Sequence, residues 1–284
     1  MVRIGELSRR VGVSPELLRA WETRYRLLRP RRSPGGFRLY SPADEARVRR
    51  MRALLESGLA ASEAARAALG ERPTPTGSPA VPAGVAAALD RAVLAFDGPA
   101  AHAALDVLLR GTSLERTVRD AVLPLLRSIG DRWQHGTVTV AQEHFAATIL
   151  RSRLLGLARG WDEGLGRRAI LACIPGDLHD IALIAFGLAL RERGWRIVYL
   201  GQDMPAAMVA AAAASVRPHL VVLAATAARW SDDALDAFAD LARTTRIAVG
   251  GAAATPDAAR RIGAMLLEAD VIAAAERVTE ETPR

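Results

Sequence analysis

The sharpest chemistry in this chain lies in two residues of IPGDLHDIA (174–182), Asp177 and His179. A neutral imidazole is a good transition-metal ligand, and a nearby carboxylate that holds its other N–H fixes the tautomer and raises its basicity. One His with one Asp is too few for an all-protein metal cage. The pair suits a metal that already carries most of its ligands in a macrocycle. A second cluster lies in DRWQHGTVTVAQEHFAATILR (131–151), where Trp133 is followed by Glu143 and His144. An aromatic wall with two polar groups is the usual mix in a small-molecule pocket. The third array is cationic, with Arg19, Arg24, Arg32 and Arg38 interleaved with Trp21, Tyr25 and Tyr40.

Each array needs elements to hold it. Ile4, Leu7 and Val11 space a short helix that Gly12 ends, and Ser14-Pro15-Glu16 supplies an N-cap, a proline at N1 and an early acid for the next. Leu17, Leu18, Trp21 and Tyr25 form the apolar face of that second helix, which leaves Arg19, Glu22 and Arg24 outward. RPRRSPGGFRLYSP (29–42) then turns tightly at Pro-Gly-Gly and reads as a hairpin or wing. Two short helices, the second Arg-bearing, form a helix-turn-helix whose wing can straddle a phosphate backbone.

Residues 71–84 are rich in proline and read as a linker. Residues 85–162 carry helical spacing in four stretches, marked by Leu89 and Val93, Leu105 and Leu108, Val122 and Ile129, and Phe145 and Ile149, so a four-helix bundle is expected. Within it, Thr139 and Gln142 form a capping box that sets Glu143 and His144 in the first turn of the fourth helix. Residues 163–284 alternate short apolar runs (169–174, 196–200, 220–225, 247–251) with helix-length Ala/Leu stretches, the pattern of a parallel sheet with helices on both faces. Asp177 and His179 fall after its first strand, where such sheets bind ligands.

Charge divides along the same lines. Of the net +7, residues 1–72 hold 16 Arg against 8 acidic residues, so the remainder is nearly neutral. A basic head on a neutral module points to double-stranded DNA. The apolar runs are too short and too often charged for a membrane span, no secretory signal opens the chain, and a single Cys (Cys173) suits a cytoplasmic setting. No nucleophilic triad, phosphate-binding glycine loop or paired catalytic carboxylate emerges, so a non-enzyme is expected.

RAWETRYRLLRPRRSPGGFRLYSPAD (19–44) resembles the winged-helix head of MerR-type transcriptional regulators, over roughly residues 1–70. That resemblance makes Arg19, Trp21, Arg24, Tyr25, Arg32, Arg38 and Tyr40 the candidate DNA contacts. MerR regulators typically continue into a long dimerising helix, and the Pro-rich linker stands in its place. GDLHDIA, LAATA (223–227) and VGGAA (249–253) resemble the signatures of cobalamin-binding Rossmann-like (flavodoxin-like) domains, and the Trp133–Glu143–His144 spacing resembles the bundle over the cofactor's upper face. Head, linker, bundle and α/β domain together are similar to the CarH/LitR class. The resemblance implies base-off binding, with His179 on cobalt from below and the nucleotide tail in a groove by Gly250 and Gly251, where Thr226 is the candidate to replace the family's Ser hydroxyl. It places Trp133, Glu143 and His144 around an adenosyl upper ligand.

Three positions depart from the pattern. Ala182 replaces a Gly, Ala224 a Ser, and Gln134 the His that follows the Trp in light-sensing relatives. The expected function is a repressor that assembles as a dimer or tetramer on its operator with adenosylcobalamin bound, and that acts as a photoreceptor if light removes the adenosyl group. The alternatives are a corrinoid carrier of methyltransferase type, which leaves the basic head unexplained, and a MerR-type regulator with a degenerate pocket.

Overall fold

The computed structural model describes residues 1–32, 36–56, 61–69, 81 and 83–282, and the chain divides into two units, Met1–Gly77 and Ser78–Arg284. Residues 70–80 and 82, which hold most of the Pro-rich segment, lie outside the described residues, and the next helix starts at Ala83, two residues before the expected start of the bundle at 85.

The first unit is a winged helix-turn-helix. Helix α1 (Ile4–Val11) ends at left-handed Gly12, and α2 (Pro15–Tyr25) starts from Ser14, whose hydroxyl accepts from the Leu17 amide. Strands β1 (Arg31–Arg32) and β2 (Arg38–Leu39) pair antiparallel as the wing, and Tyr40 bridges back to Val2 through both backbone groups. Helix α3 (Pro42–Glu56) follows, and α4 (Ala61–Leu69) folds back on α3 and α2 with Ala64, Ala65 and Ala68 in the shared core. That segment therefore packs within the head instead of extending from it.

Asp44 pins the wing exit to α3. Its buried carboxylate accepts from the Arg29 amide at 2.9 Å, the Ser41 amide at 2.8 Å and the Ser41 hydroxyl at 2.7 Å, and it pairs with Arg47. Asp44→Ala strands two backbone donors and is expected to cost about 3 kcal/mol in the head's urea transition. Burial pushes this carboxyl up, but the Arg29 and Ser41 donors and Arg47 outweigh it and hold the group below the usual carboxylate range. The stabilisation is thus present above about pH 4 and is lost as pH falls through the lower folded value. An Asp44→Asn head should lack that part of the acid sensitivity.

The second unit opens with the expected bundle. Helices α5 (Ala83–Leu94) and α6 (Gly98–Gly111) are followed by α7 (Leu114–Thr117), which runs through a π turn (Val118–Val122) into α8 (Leu123–Gln134). Pro124 explains the π turn: it has no N–H to donate one turn back, and the Leu123 amide reaches instead to the Val118 carbonyl. Helix α9 (Val140–Gly156) completes the bundle.

The α/β part runs β3 (Arg168–Cys173), α10 (Ile181–Glu192), β4 (Arg196–Gly201), α11 (Ala206–Val216), β5 (Leu220–Ala224), α12 (Asp232–Ala242), β6 (Ile247–Gly250), α13 (Pro256–Ile262), β7 (Met265–Leu266) and α14 (Val271–Glu281). Its parallel sheet has the order β4-β3-β5-β6-β7, the flavodoxin-like winding. Strand β7 was not among the expected runs, because two residues show no period. Alternation along β3 sends Ala169, Leu171 and Cys173 into one core with the bundle, α10 and α14, and Ile170 and Ala172 into the other, under α11, α12 and α13. Helix α10 lies close enough to the sheet that a Cβ at Gly187 would sit 2.7 Å from Leu171 Cδ1.

Candidate functional site

The strand order reverses beside β3, so the loops after β3 and β5 open a crevice at their carboxyl ends. Asp177 lies in the first loop and is fully buried. Its Oδ2 accepts from the Thr226 amide, the Ala227 amide at 3.0 Å and the Ala228 amide at 3.4 Å, all after β5. Its Oδ1 accepts from the His179 amide at 2.9 Å and lies 3.0 Å from His179 Nδ1. Burial raises this carboxyl, and the amides of His179, Thr226 and Ala227 with the imidazole more than offset it, so the group sits below the usual carboxylate range. It is an acceptor that keeps the ring proton on Nδ1 and leaves the Nε2 lone pair outward.

The His179 side chain is 57% exposed, in contrast to its partner. Among the described residues no group of three His, Cys, Asp or Glu side chains is arranged to hold a bare metal ion. One oriented imidazole on an open loop could serve a metal that brings most of its ligands with it. Beside it, a cavity of about 380 Å³ runs between β5, β6, α10 and α14, walled by Phe186, Leu267 and Val271 and reached by Thr226, Gly250 and Gly251. Gly251 (φ +109°) passes so close that a Cβ would stand 2.3 Å from the Ala225 carbonyl oxygen. Ala182 and Ala224, two of the three departures, line the same cavity and present methyl groups to it.

The bundle cluster sits where the capping box puts it: the Gln142 amide donates to Thr139 Oγ1 and the Thr139 amide to Gln142 Oε1. His144 Nδ1 lies 2.6 Å from Glu143 Oε2, and Trp133, at the end of α8, is 47% exposed and outside the core. Gln134 is exposed, and His135 caps α8 with Nδ1 at 2.7 Å from the Asp131 carbonyl. His144 and Arg151 are seven residues apart on α9, two turns along one face. Arg151 is bonded to Asp180, the neighbour of His179, so that face of α9 meets the His loop.

Three residues beside the site were not singled out in the sequence. Asp180, buried, accepts from Arg151 Nε at 3.1 and 2.8 Å and from the Tyr199 hydroxyl on β4. Burial, then Asp180, raises the Tyr199 phenol above its ordinary value. The signal for Asp180 was its place in GDLHDIA; nothing local pairs it with Arg151.

In the head, Arg19 and Arg24 are exposed, and Tyr25 is half-buried with the Arg24 guanidinium 5.6 Å from its ring centre. The Arg32 side chain lies outside the described residues. Arg38 is exposed and lies 3.2 Å from Glu22. Trp21 (5% exposed) and Tyr40 (0%) are core residues, which corrects their place among the contacts, since a side chain sealed in apolar packing offers nothing to a phosphate. Glu22 is corrected from outward to half-buried: it accepts from the Tyr40 hydroxyl at 2.8 Å and pairs with Arg38, tying the wing to α2.

Residues 2–70 match the MerR HTH family of regulatory proteins, and residues 85–155 and 167–282 each match a B12 binding domain family. The chain is 35% identical over 269 residues to the HTH-type transcriptional repressor CarH of Myxococcus xanthus, covering 89% of each chain. It is 34% identical over 256 residues to the repressor CarA of the same organism, covering 88% of this chain and 86% of that one. The monomethylamine corrinoid protein of Methanosarcina barkeri shares the fold at 18% identity and a TM-score of 0.53, over 69% of this chain and 96% of that one.

Proposed function

We propose, from the premise that the chain belongs to the MerR-type regulators with B12-binding domains, the family of the repressors CarH and CarA, that it is a cytoplasmic, non-enzymatic repressor whose assembly on DNA depends on adenosylcobalamin. The observation that carries the reading is the Asp177–His179 pair, a buried carboxylate that holds an exposed imidazole and also accepts from the amide of Thr226, which lines the neighbouring cavity. His179 Nε2 is the ligand to cobalt, with Asp177 holding its ring. Thr226, Gly250 and Gly251 receive the nucleotide tail, and Trp133, Glu143 and His144 enclose the adenosyl group. When bound, adenosylcobalamin supplies a cobalt–carbon bond that visible light cleaves.

A single winged-helix head buries little surface, so tight operator binding needs several heads together. A ligand that binds only the assembled form favours it by about 2.7 kcal/mol at a hundred times its Kd. Homo-oligomers, dimer or tetramer, are therefore the DNA-binding form. Gln134 and His135 shape the light response: His135 is two residues beyond Trp133, about 200° round a helix, and its Nδ1 is held by the Asp131 carbonyl. The illuminated chain thus has no imidazole from α8 at the upper face and stays open to reloading in the dark.

A gel shift on the chain's own promoter tests the reading. A shift expected with adenosylcobalamin in the dark should vanish after green light and return with fresh ligand. A shift of equal strength in all conditions overturns the ligand dependence.

The DNA contacts are Arg19, Arg24, Tyr25, Arg32 and Arg38. Arg38→Ala should weaken binding to all sequences alike and reduce the slope of log K against log salt by about 1. Trp21→Ala, by contrast, should act through loss of head stability at unchanged salt slope.

A further inference from the structure

We propose that Arg151, Asp180 and Tyr199 form a latch that fixes the bundle over the His179 loop, so that all three are positioning residues for the upper-ligand pocket. Three elements meet at one carboxylate: Arg151 from α9, Tyr199 from β4, and Asp180 itself between His179 and α10. Asp180 is 1% exposed. It occupies the N-cap position of α10, where an Asp side chain ordinarily accepts from the helix's own amides. Here no such bond is made, and both oxygens are turned sideways to α9 and β4. Capping therefore does not account for the residue, whereas joining the bundle to the sheet does.

The joint is reinforced from the connection after α9. Trp161 packs edge-on to the Tyr199 ring at 5.8 Å, and its carbonyl accepts from the Ile197 amide of β4 at 2.7 Å. The Asp180 carboxylate is buried and the Arg151 side chain is half-buried; an ion pair of this kind is a weak source of stability compared with apolar packing of the same volume, and its best-attested use is to specify one arrangement among several. The arrangement specified here is the distance between α9, whose first turn carries Glu143 and His144, and the loop that carries His179. The inference rests on the cobalamin reading above, because only a ligand between those two elements gives the spacing a function.

The test uses the full chain loaded with hydroxocobalamin and follows replacement of the upper ligand by cyanide in the absorption spectrum. Arg151→Leu is expected to speed replacement about tenfold, equivalent to about 1.4 kcal/mol, while the His-ligated spectrum before cyanide stays unchanged. Tyr199→Phe should give a smaller acceleration, and Arg151→Lys should recover much of the parent's slow rate. Amide exchange of α9 and residues 176–180 in the ligand-free chain should rise in the same order. Rates and exchange within about twofold of the parent in both Arg151→Leu and Tyr199→Phe overturn the latch. If Arg151→Leu fails to fold, Tyr199→Phe, which loses one hydroxyl, decides. A parent chain with no His-ligated spectrum refutes the cobalamin reading, and the ligand-free exchange then judges the latch alone.

Discussion

Replacing His179 by Ala is expected to leave a folded chain that no longer gives the absorption of imidazole-ligated, base-off cobalamin. The side chain is 57% exposed and outside the cores, so stability should stay within about 0.5 kcal/mol of the parent. Binding should suffer far more. Removing even an outer partner of a metal ligand costs about 10–100-fold, and His179 is the ligand itself in this account. The apolar cavity by Gly250 and Gly251 remains, so residual weak binding through the nucleotide tail is expected, without the imidazole spectrum. An unchanged spectrum in the variant contradicts the assignment of the lower ligand.

Asp177→Ala should do the opposite kind of damage, striking stability first. Its carboxylate receives the amides of His179, Thr226, Ala227 and Ala228, and thereby joins the loops after β3 and β5. Truncation leaves these donors facing an emptied, buried space at about 1–3 kcal/mol each before water relieves some of them. A loss of about 3–5 kcal/mol in urea unfolding of the ligand-free chain is the expected sum. The folded fraction should also bind cobalamin about 10–100-fold more weakly, because nothing then holds the His179 ring or its tautomer. Ala224→Ser, which places a hydroxyl in the same cavity without touching these bonds, is the control and should change stability by less than about 1 kcal/mol. A loss as small in Asp177→Ala would mean that the loops are held by other contacts.

The contrast between His179 and Asp177 explains how far the sequence could be read. The loop after β3 was legible because local signals coincide there: a strand-length apolar run, Pro-Gly, then an Asp and a His within three residues. The capping box around Thr139 and Gln142 was legible for the same reason, as were the caps of α1 and α2. What stayed hidden depends on partners distant in the chain. Glu22 looks outward on a helical wheel, and only the return of the wing brings the Tyr40 hydroxyl and Arg38 onto it. Tyr40 and Trp21 look like contacts in a basic segment until the bridge to Val2 and α4 seal the core around them. Nothing around Asp180 in the sequence announces its bonds to Arg151 and Tyr199, which span 29 and 19 residues. Strand β7 was missed because its pairing with β6, not its own two-residue pattern, makes it a strand.

In the proposed function, ligand binding in the second unit governs how many heads act together. Sedimentation equilibrium of the full chain in the dark, with and without adenosylcobalamin, addresses it without reference to any operator. The mass should rise from that of one 30.3 kDa chain to a dimer or tetramer when the ligand is added, and fall again after green light. A mass that is the same with and without adenosylcobalamin contradicts it.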